Sequence, residues 1–380
     1  MNPLRFLTFA MLLNLFFSTL GKGAGESAFQ KDVFVGGEDG YNTYRIPSLL
    51  LTKRKTLLAF CEGRKDDRHD NGNIDLLLKR STDGGKTWSK QQVIWDDGIN
   101  TCGNPTPVQD QKTGTIWLFM NHNPGKVDPK ILKRPGSLLT RTVWIAKSDD
   151  DGKTWSKPLD VTENTKLESW GWYAAGPGVG IQVQRGPFKG RLVIPACHNS
   201  DDPKARGGSH VVYSDDHGKS WHIGGTVHGR VSEAQVVELA DGALLMNMRT
   251  IPGVFRSQSI SRDGGATWSS PELKKDLLEP ICQGTIVRHT WPGKKQASRL
   301  LFANPTHESR RKNLTLHVSE DEGRSWFVAR TIQPGWSAYS CLAVMPNLDV
   351  ACLYETGEAH ANEKITFARF PLNLKTAVNR

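Results

Sequence analysis

Arginine, carboxylate and tyrosine side chains gather in a few short segments of this 380-residue chain. They are Tyr44-Arg45-Ile46-Pro47, Glu62-Gly63-Arg64 with Asp66, Asp67 and Asp70 behind it, Ser232-Glu233-Ala234, Asn247-Met248-Arg249, Arg310-Arg311, Ala338-Tyr339-Ser340 and Leu353-Tyr354-Glu355. Arginine presents a planar fork of donors that stays charged at any working pH and matches a carboxylate. Carboxylates give and take protons, and a tyrosine becomes a competent nucleophile only with a base in hydrogen-bond reach. Taken singly, each residue also reads as a solvated strand-end charge or a packed aromatic. Metal chemistry has no comparable vocabulary: the sequence holds no CxxC, no HExxH and no Cys/His cluster at zinc spacing. The Asp149-Asp150-Asp151 run lacks the spacing and distal Glu of a calcium loop and reads as part of a turn. Neither a metal nor another cofactor is expected.

The elements that must hold these residues announce themselves through a repeat. The pattern Ser-x-Asp-x-Gly-x-Thr/Ser-Trp occurs at Ser81 to Trp88, Ser148 to Trp155, Ser214 to Trp221, Ser261 to Trp268 and Ser319 to Trp326. Each copy follows a strand-like run, such as Ile74 to Lys79 or Leu314 to Val318, so each is a hairpin turn. Its Asp accepts hydrogen bonds from turn amides, its Gly takes φ > 0 at no steric cost, and its Trp supplies an apolar anchor. A period of about 59 residues divides the chain into about six units, one without a recognisable box, and suits one four-stranded sheet per repeat. The expected fold class is all-β: a six-bladed β-propeller of four-stranded antiparallel sheets, one domain over residues 26–380.

These turns resemble the Asp boxes of sialidases, and Tyr44-Arg45-Ile46-Pro47 resembles that family's Phe/Tyr-Arg-Ile-Pro signature. Matches in the family's order continue to Glu355 and span 311 of 380 positions. The resemblance implies an exo-α-sialidase that releases terminal sialic acid from sialylated glycans through a covalent tyrosyl intermediate. It assigns Arg45, Arg249 and Arg311 to the substrate carboxylate, with Arg310 a rival for the third place, and it puts Arg64 among the substrate-binding residues. Asp70 becomes the acid/base, with Asp66 and Asp67 as competitors. Tyr339 becomes the nucleophile, Glu233 its base, and Glu355 the carboxylate that orients Arg45. A neutral nucleophile has a physical rationale, since an attacking carboxylate about 4 Å from the substrate's own would cost roughly 4 kcal/mol at an effective dielectric of 20. A partly desolvated loop is expected to raise the pKa of Asp70 for its acid role. Gly103 to Pro107 and Gly176 to Ile181 read either as loops bordering the site or as plain turns. Two other outcomes stay open: a non-catalytic sialic-acid-binding propeller, and a transferring or anhydro-forming enzyme governed by aromatics such as Trp170, Trp172 or Tyr173.

Composition fits and excludes. Hydrophobic residues make 37% and charged residues 23% of the chain, with 37 glycines and 12 tryptophans, which is a turn-rich globular β protein. Arg5 precedes an apolar run, Phe6 to Leu20, and Gly23-Ala24-Gly25 offers a cleavage site, so residues 1–25 read as a signal peptide. Secreted or periplasmic localisation follows, with no stable membrane insertion, since no later stretch reaches 18 apolar residues. Of the formal charge of +10, Arg5 and Lys22 leave with the leader, so the mature chain carries +8. That surplus has no basic run long enough to track a phosphate backbone, and nucleic acid is not an expected partner. A monomer is expected. The six cysteines permit disulfides without requiring them.

Overall fold

The computed structural model describes residues 28–374 except 135, 138 and 201–206. The leader expected over residues 1–25 lies outside the described residues. The fold is all-β, and the helices among the described residues are two single turns, Pro129–Leu132 and Thr162–Thr165. Strands such as Leu57–Arg64 and Val350–Thr356 are buried along their whole length. Their first parts, Leu57 to Cys61 and Val350 to Leu353, read as continuous apolar runs because neighbours cover both faces. Glu272–Leu278, by contrast, lies at a sheet edge and carries Glu, Lys and Asp outward.

Successive strands pair antiparallel with short connections, as in Val231–Glu238, Leu244–Thr250, Phe255–Ser261 and Glu272–Leu278, which form one sheet in that order. Elsewhere the hydrogen-bond ladders run on into larger sheets of seven and eight strands. Two features join them. A single parallel bridge, Ile74 to Thr101, links two sets. The 18-residue strand Phe327–Val344 pairs with Lys312–Ser319 through its first half and with Val350–Thr356 through its second. The first described strand, Phe29–Val35, lies against the last, Lys364–Phe370, with Phe29 opposite Arg369. The first and last described strands thereby share one sheet.

The core is divided accordingly. Leu58, Phe60, Leu76 and Leu78 pack on Cys102, Ile116, Leu118 and Met120, and similar clusters fill the other spaces between neighbouring strand sets. The tryptophans of the repeated turns reach into these spaces: Trp155 meets Phe60 edge-on at 5.7 Å and Trp221 meets Phe119 at 4.6 Å. All five turns share one hydrogen-bond scheme. In the second, Asp150 Oδ1 accepts from Ser148 Oγ at 2.9 Å and Thr154 N at 2.9 Å, while Oδ2 accepts from Thr154 Oγ1 at 2.6 Å. Gly85 of the first turn has φ of 94°, and a Cβ there would lie 2.1 Å from the Phe367 ring. The six cysteines are buried and free.

Candidate active site

The innermost strands bring distant residues onto one floor. Arg45, on Thr43–Leu51, donates from Nε to Glu355 Oε1 at 3.0 Å and from Nη2 to Glu355 Oε2 at 3.2 Å. The fork-to-fork pair is buried. Glu355 also accepts from the backbone N–H groups of Ile46, at 2.9 Å, and Tyr339, at 3.1 Å. One carboxylate therefore ties three chain segments, and Ile46 takes a left-handed φ of 57° beside it. Burial disfavours the Arg45 cation, but Glu355, then Tyr339 and Asp70, push its pKa above the ordinary guanidinium value.

Tyr339 projects from the second half of Phe327–Val344, and its hydroxyl donates to Glu233 Oε1. Glu233 Oε2 accepts from Arg249 Nη1 at 2.8 Å, and the same nitrogen lies 3.3 Å from the Tyr339 hydroxyl. The Arg45 and Arg311 guanidinium carbons stand 5.1 and 5.4 Å from the centre of the Tyr339 ring. Arg311 is anchored by a 3.1 Å bond to the Ile281 carbonyl, whose residue has φ of 54°. A phenol paired with a carboxylate is thus encircled by three guanidinium groups. Burial and the adjoining Glu233 hold the Tyr339 hydroxyl well above its usual pKa, with Arg249 and Arg311 opposing them in part, so it rests protonated.

Asp70 stands on the loop after Leu57–Arg64. Its Oδ1 lies 2.9 Å from Arg64 Nη1 and 3.5 Å from Arg45 Nη1, and its side chain is 68% exposed. Arg64 also binds Glu62 Oε2 at 2.6 Å and the Arg68 carbonyl at 2.5 Å. The expectation of a raised Asp70 pKa is corrected here. Desolvation does push it up, but Arg64, Arg45 and Arg141 outweigh that and leave it below the usual carboxylate value. Of the rival assignments, Asp66, Asp67 and Arg310 do not line the cleft, whereas Asp70 and Arg311 do; Asp67 is paired with His69.

The cleft over this floor measures about 720 Å³. Its lining also includes Asn104, Arg141, Trp172, Cys197 and His198. Asn104 comes from the Gly103 to Pro107 segment, where the Asn104 N–H binds Glu62 Oε1 at 2.9 Å and a Cβ on Gly103 would lie 2.4 Å from that oxygen. Residues 176–181 do not line it. They lie beneath, held by Gln235 Nε2 on the Pro177 carbonyl at 3.0 Å and by Ser48 Oγ on the Gly178 carbonyl at 2.9 Å. Among the described residues no group of three or more His, Cys, Asp or Glu side chains could hold a metal ion.

Residues 55–352 match the BNR repeat-like domain family. The chain is 30% identical over 402 residues to Sialidase-3 of Rattus norvegicus, covering 90% of this chain and 94% of that one. It belongs to the sialidase family. A sialidase of Micromonospora viridifaciens is 34% identical over 349 residues, which cover 88% of this chain. The chain spans about half that relative's length, 53%. Among solved structures, Hadza microbial sialidase Hz136 superposes with a TM-score of 0.81 at 31% identity, covering 92% of this chain and 69% of that one.

Two cleft residues of this sialidase-family chain carry no sequence signal, and a third, Glu62, is named only as part of the Glu62-Gly63-Arg64 segment, with no role of its own. Glu62 was legible in principle, since it sits two residues from Arg64 and strand periodicity puts both on one face. Arg141 had no signal at all: it is buried under the Trp172 ring at 3.6 Å and donates to Asn104 Oδ1 at 2.9 Å and Asn123 Oδ1 at 3.1 Å. Burial lowers its pKa to about 10. His198 was equally silent. Of the three aromatics named as acceptor-side candidates, Trp172 lines the cleft, while Trp170 and Tyr173 are buried behind it.

Proposed function

We propose that the protein is a retaining exo-α-sialidase that cleaves terminal α-linked sialic acid from sialylated glycans. The observation that carries this reading is the Tyr339 hydroxyl bonded to Glu233 within the ring of Arg45, Arg249 and Arg311. Sialic acid bears a carboxylate on its anomeric carbon, and three guanidiniums supply the charge-assisted donors that such a group needs. As the Tyr339 oxygen bonds to the anomeric carbon, its proton passes to Glu233. The bond from that carbon to the leaving oxygen breaks, and Asp70 protonates the departing alcohol. In the second half Asp70 takes a proton from water, the resulting hydroxide adds to the anomeric carbon, and the tyrosyl oxygen leaves and recovers its proton from Glu233. Two displacements retain the anomeric configuration. Asp70 reaches its acidic form because the bound carboxylate offsets the arginines that depress its pKa.

The architecture that supports this floor is a single six-bladed propeller. Six of the hydrophobic clusters each separate one strand set from the next. Contacts among the innermost strands run in a ring from Thr43–Leu51 round to Phe327–Val344 and back. The pairing of Phe29–Val35 with Lys364–Phe370 completes the last set of four. Export after removal of residues 1–25 and a monomeric state belong to the same proposal.

A fluorogenic α-sialoside tests the activity, and NMR of the first-formed sugar tests the stereochemistry. Free sialic acid appearing first as the α anomer is the expected result. Initial β anomer would overturn the two-step mechanism, and a 2,7-anhydro or transferred product seen by mass spectrometry would replace hydrolysis with the transfer chemistry left open by the sequence.

A further inference from the structure

At the cleft two histidines face each other, His198 in its lining and His210 buried beyond it. His198, on Leu192–Ser200, and His210, on Gly207–Ser214, sit on adjacent strands, with His198 opposite Gly208 and so diagonal to His210. Their Nδ1 atoms are 3.0 Å apart. The His198 ring is stacked on Trp170, with centroids 3.6 Å apart and planes 8° from parallel. Both imidazoles are neutral near pH 7: burial drives the His198 pKa down to about 3 and takes His210 well below its usual value. One proton is therefore shared between the facing nitrogens, and its owner fixes both tautomers.

Burial decides the owner. His210 is fully buried and its Nε2 has no partner among the described residues. If His198 donated, His210 would carry its own proton on that sealed Nε2, an orphaned buried N–H of the kind folded proteins avoid. If His210 donates, only a bare lone pair is left there. The second arrangement puts the His198 proton on Nε2, and His198, unlike His210, lines the cleft. Arg141, Trp172 and Cys197 line the same cleft.

We propose that His198 Nε2–H is a substrate-binding donor, its tautomer set by His210 as a positioning residue, and that it hydrogen-bonds a hydroxyl or acyl oxygen of the sugar remote from the carboxylate. This rests on the sialidase reading above. It acts on ground state and transition state alike, because the bonded oxygen is far from the reacting carbon, so it influences KM more than kcat.

Two measurements test it. Long-range 1H–15N spectra of the [15N]histidine-labelled protein read the tautomers directly. The proton of His198 is expected on Nε2 and that of His210 on Nδ1, and added N-acetylneuraminic acid should shift the His198 Nε2–H resonance. In kinetics with a fluorogenic sialoside, His198→Phe keeps the stacking on Trp170 without the donor and should raise KM roughly three- to tenfold, with kcat within about twofold. His198→Gln, whose amide nitrogen replaces Nε2–H, should restore most of the loss. His210→Asn, which keeps a donor toward His198, should stay near wild type, while His210→Leu should behave like His198→Phe. An Nδ1–H tautomer at His198, or a His198→Phe enzyme with unchanged KM, would overturn the proposal. A wild-type protein that shows the expected tautomers and the sialic-acid-induced shift yet cleaves no sialoside would instead refute catalysis and leave the binding role standing.

Discussion

The repeated turns and the central floor use the same residue types for opposite kinds of construction. In a box, Ser148, Asp150 and Thr154 close their hydrogen bonds within seven residues of chain. On the floor, Arg45 meets Glu355 across 310 positions, and Tyr339 meets Glu233 across 106. A box Asp is answered by hydroxyls and amides and can stand half in water. The floor carboxylates are answered by guanidiniums, and Glu355 is wholly buried. Local closure makes a unit that can be copied five times with Ser for Thr exchanged freely; long-range closure makes one arrangement that several sheets must deliver in register. The boxes should therefore govern stability in small increments, and the floor should govern chemistry almost all at once.

The sharpest separation of the two is Tyr339→Phe. Loss of the hydroxyl removes the proposed nucleophile but leaves Glu233 paired with Arg249 at 2.8 Å. Turnover of a fluorogenic sialoside should fall on the order of 10³-fold or more, while Tm moves by only a few degrees. A Phe enzyme of near-normal rate would remove Tyr339 from the mechanism and erase the contrast.

Asp150→Ala is the converse. It strips four acceptor contacts from one turn, to Ser148, Lys153 and both groups of Thr154. A loss of about 1–2 kcal/mol in urea unfolding is expected, with turnover at 25 °C unchanged within about twofold. Burial works against the Asp150 carboxylate, but the Thr154 and Ser148 bonds bring its pKa down to about 2. A folded pKa below the unfolded one means stabilisation that is complete above the unfolded value of about 3.9 and is lost as pH falls through about 2. The wild type and the variant should therefore converge in stability toward pH 2. A difference that persists there would mean the turn is held by something other than the ionised Asp.

This contrast also explains what the sequence revealed. The boxes were legible because every partner lies inside an eight-residue window, and the all-β class followed from them. The larger seven- and eight-stranded sheets were not, because they depend on one long strand and one parallel bridge that spacing does not encode. Arg45, Arg249, Arg311, Tyr339, Glu233 and Asp70 were reached through family resemblance, since nothing local to any of them states that it will meet the others. Glu62 and Arg64 form a local pair, yet only the fold shows that Asp70 completes it. Arg141 and His198 carry no motif. Each matters through burial against neighbours, Trp172 in one case and His210 with Trp170 in the other, and burial is a property of the assembled chain.

The smallest effect is the most specific to the floor. Asp70 titrates below its usual value because Arg64, Arg45 and Arg141 face it, despite the desolvation that opposes them. A ligand carboxylate seated among Arg45, Arg249 and Arg311 adds negative charge beside Asp70 and offsets part of that field, so its pKa must rise on binding. Binding of N-acetylneuraminic acid should therefore take up protons, up to one per site, at pH values just above the free-protein pKa. Calorimetry in buffers of different ionisation enthalpy measures this, and Asp70→Asn should abolish it. The same coupling places the basic limb of the kcat profile at higher pH than that of kcat/KM, since the first reports the complex and the second the free enzyme. Proton release on binding, or uptake that survives in Asp70→Asn, would break the link between the arginine ring and the acid.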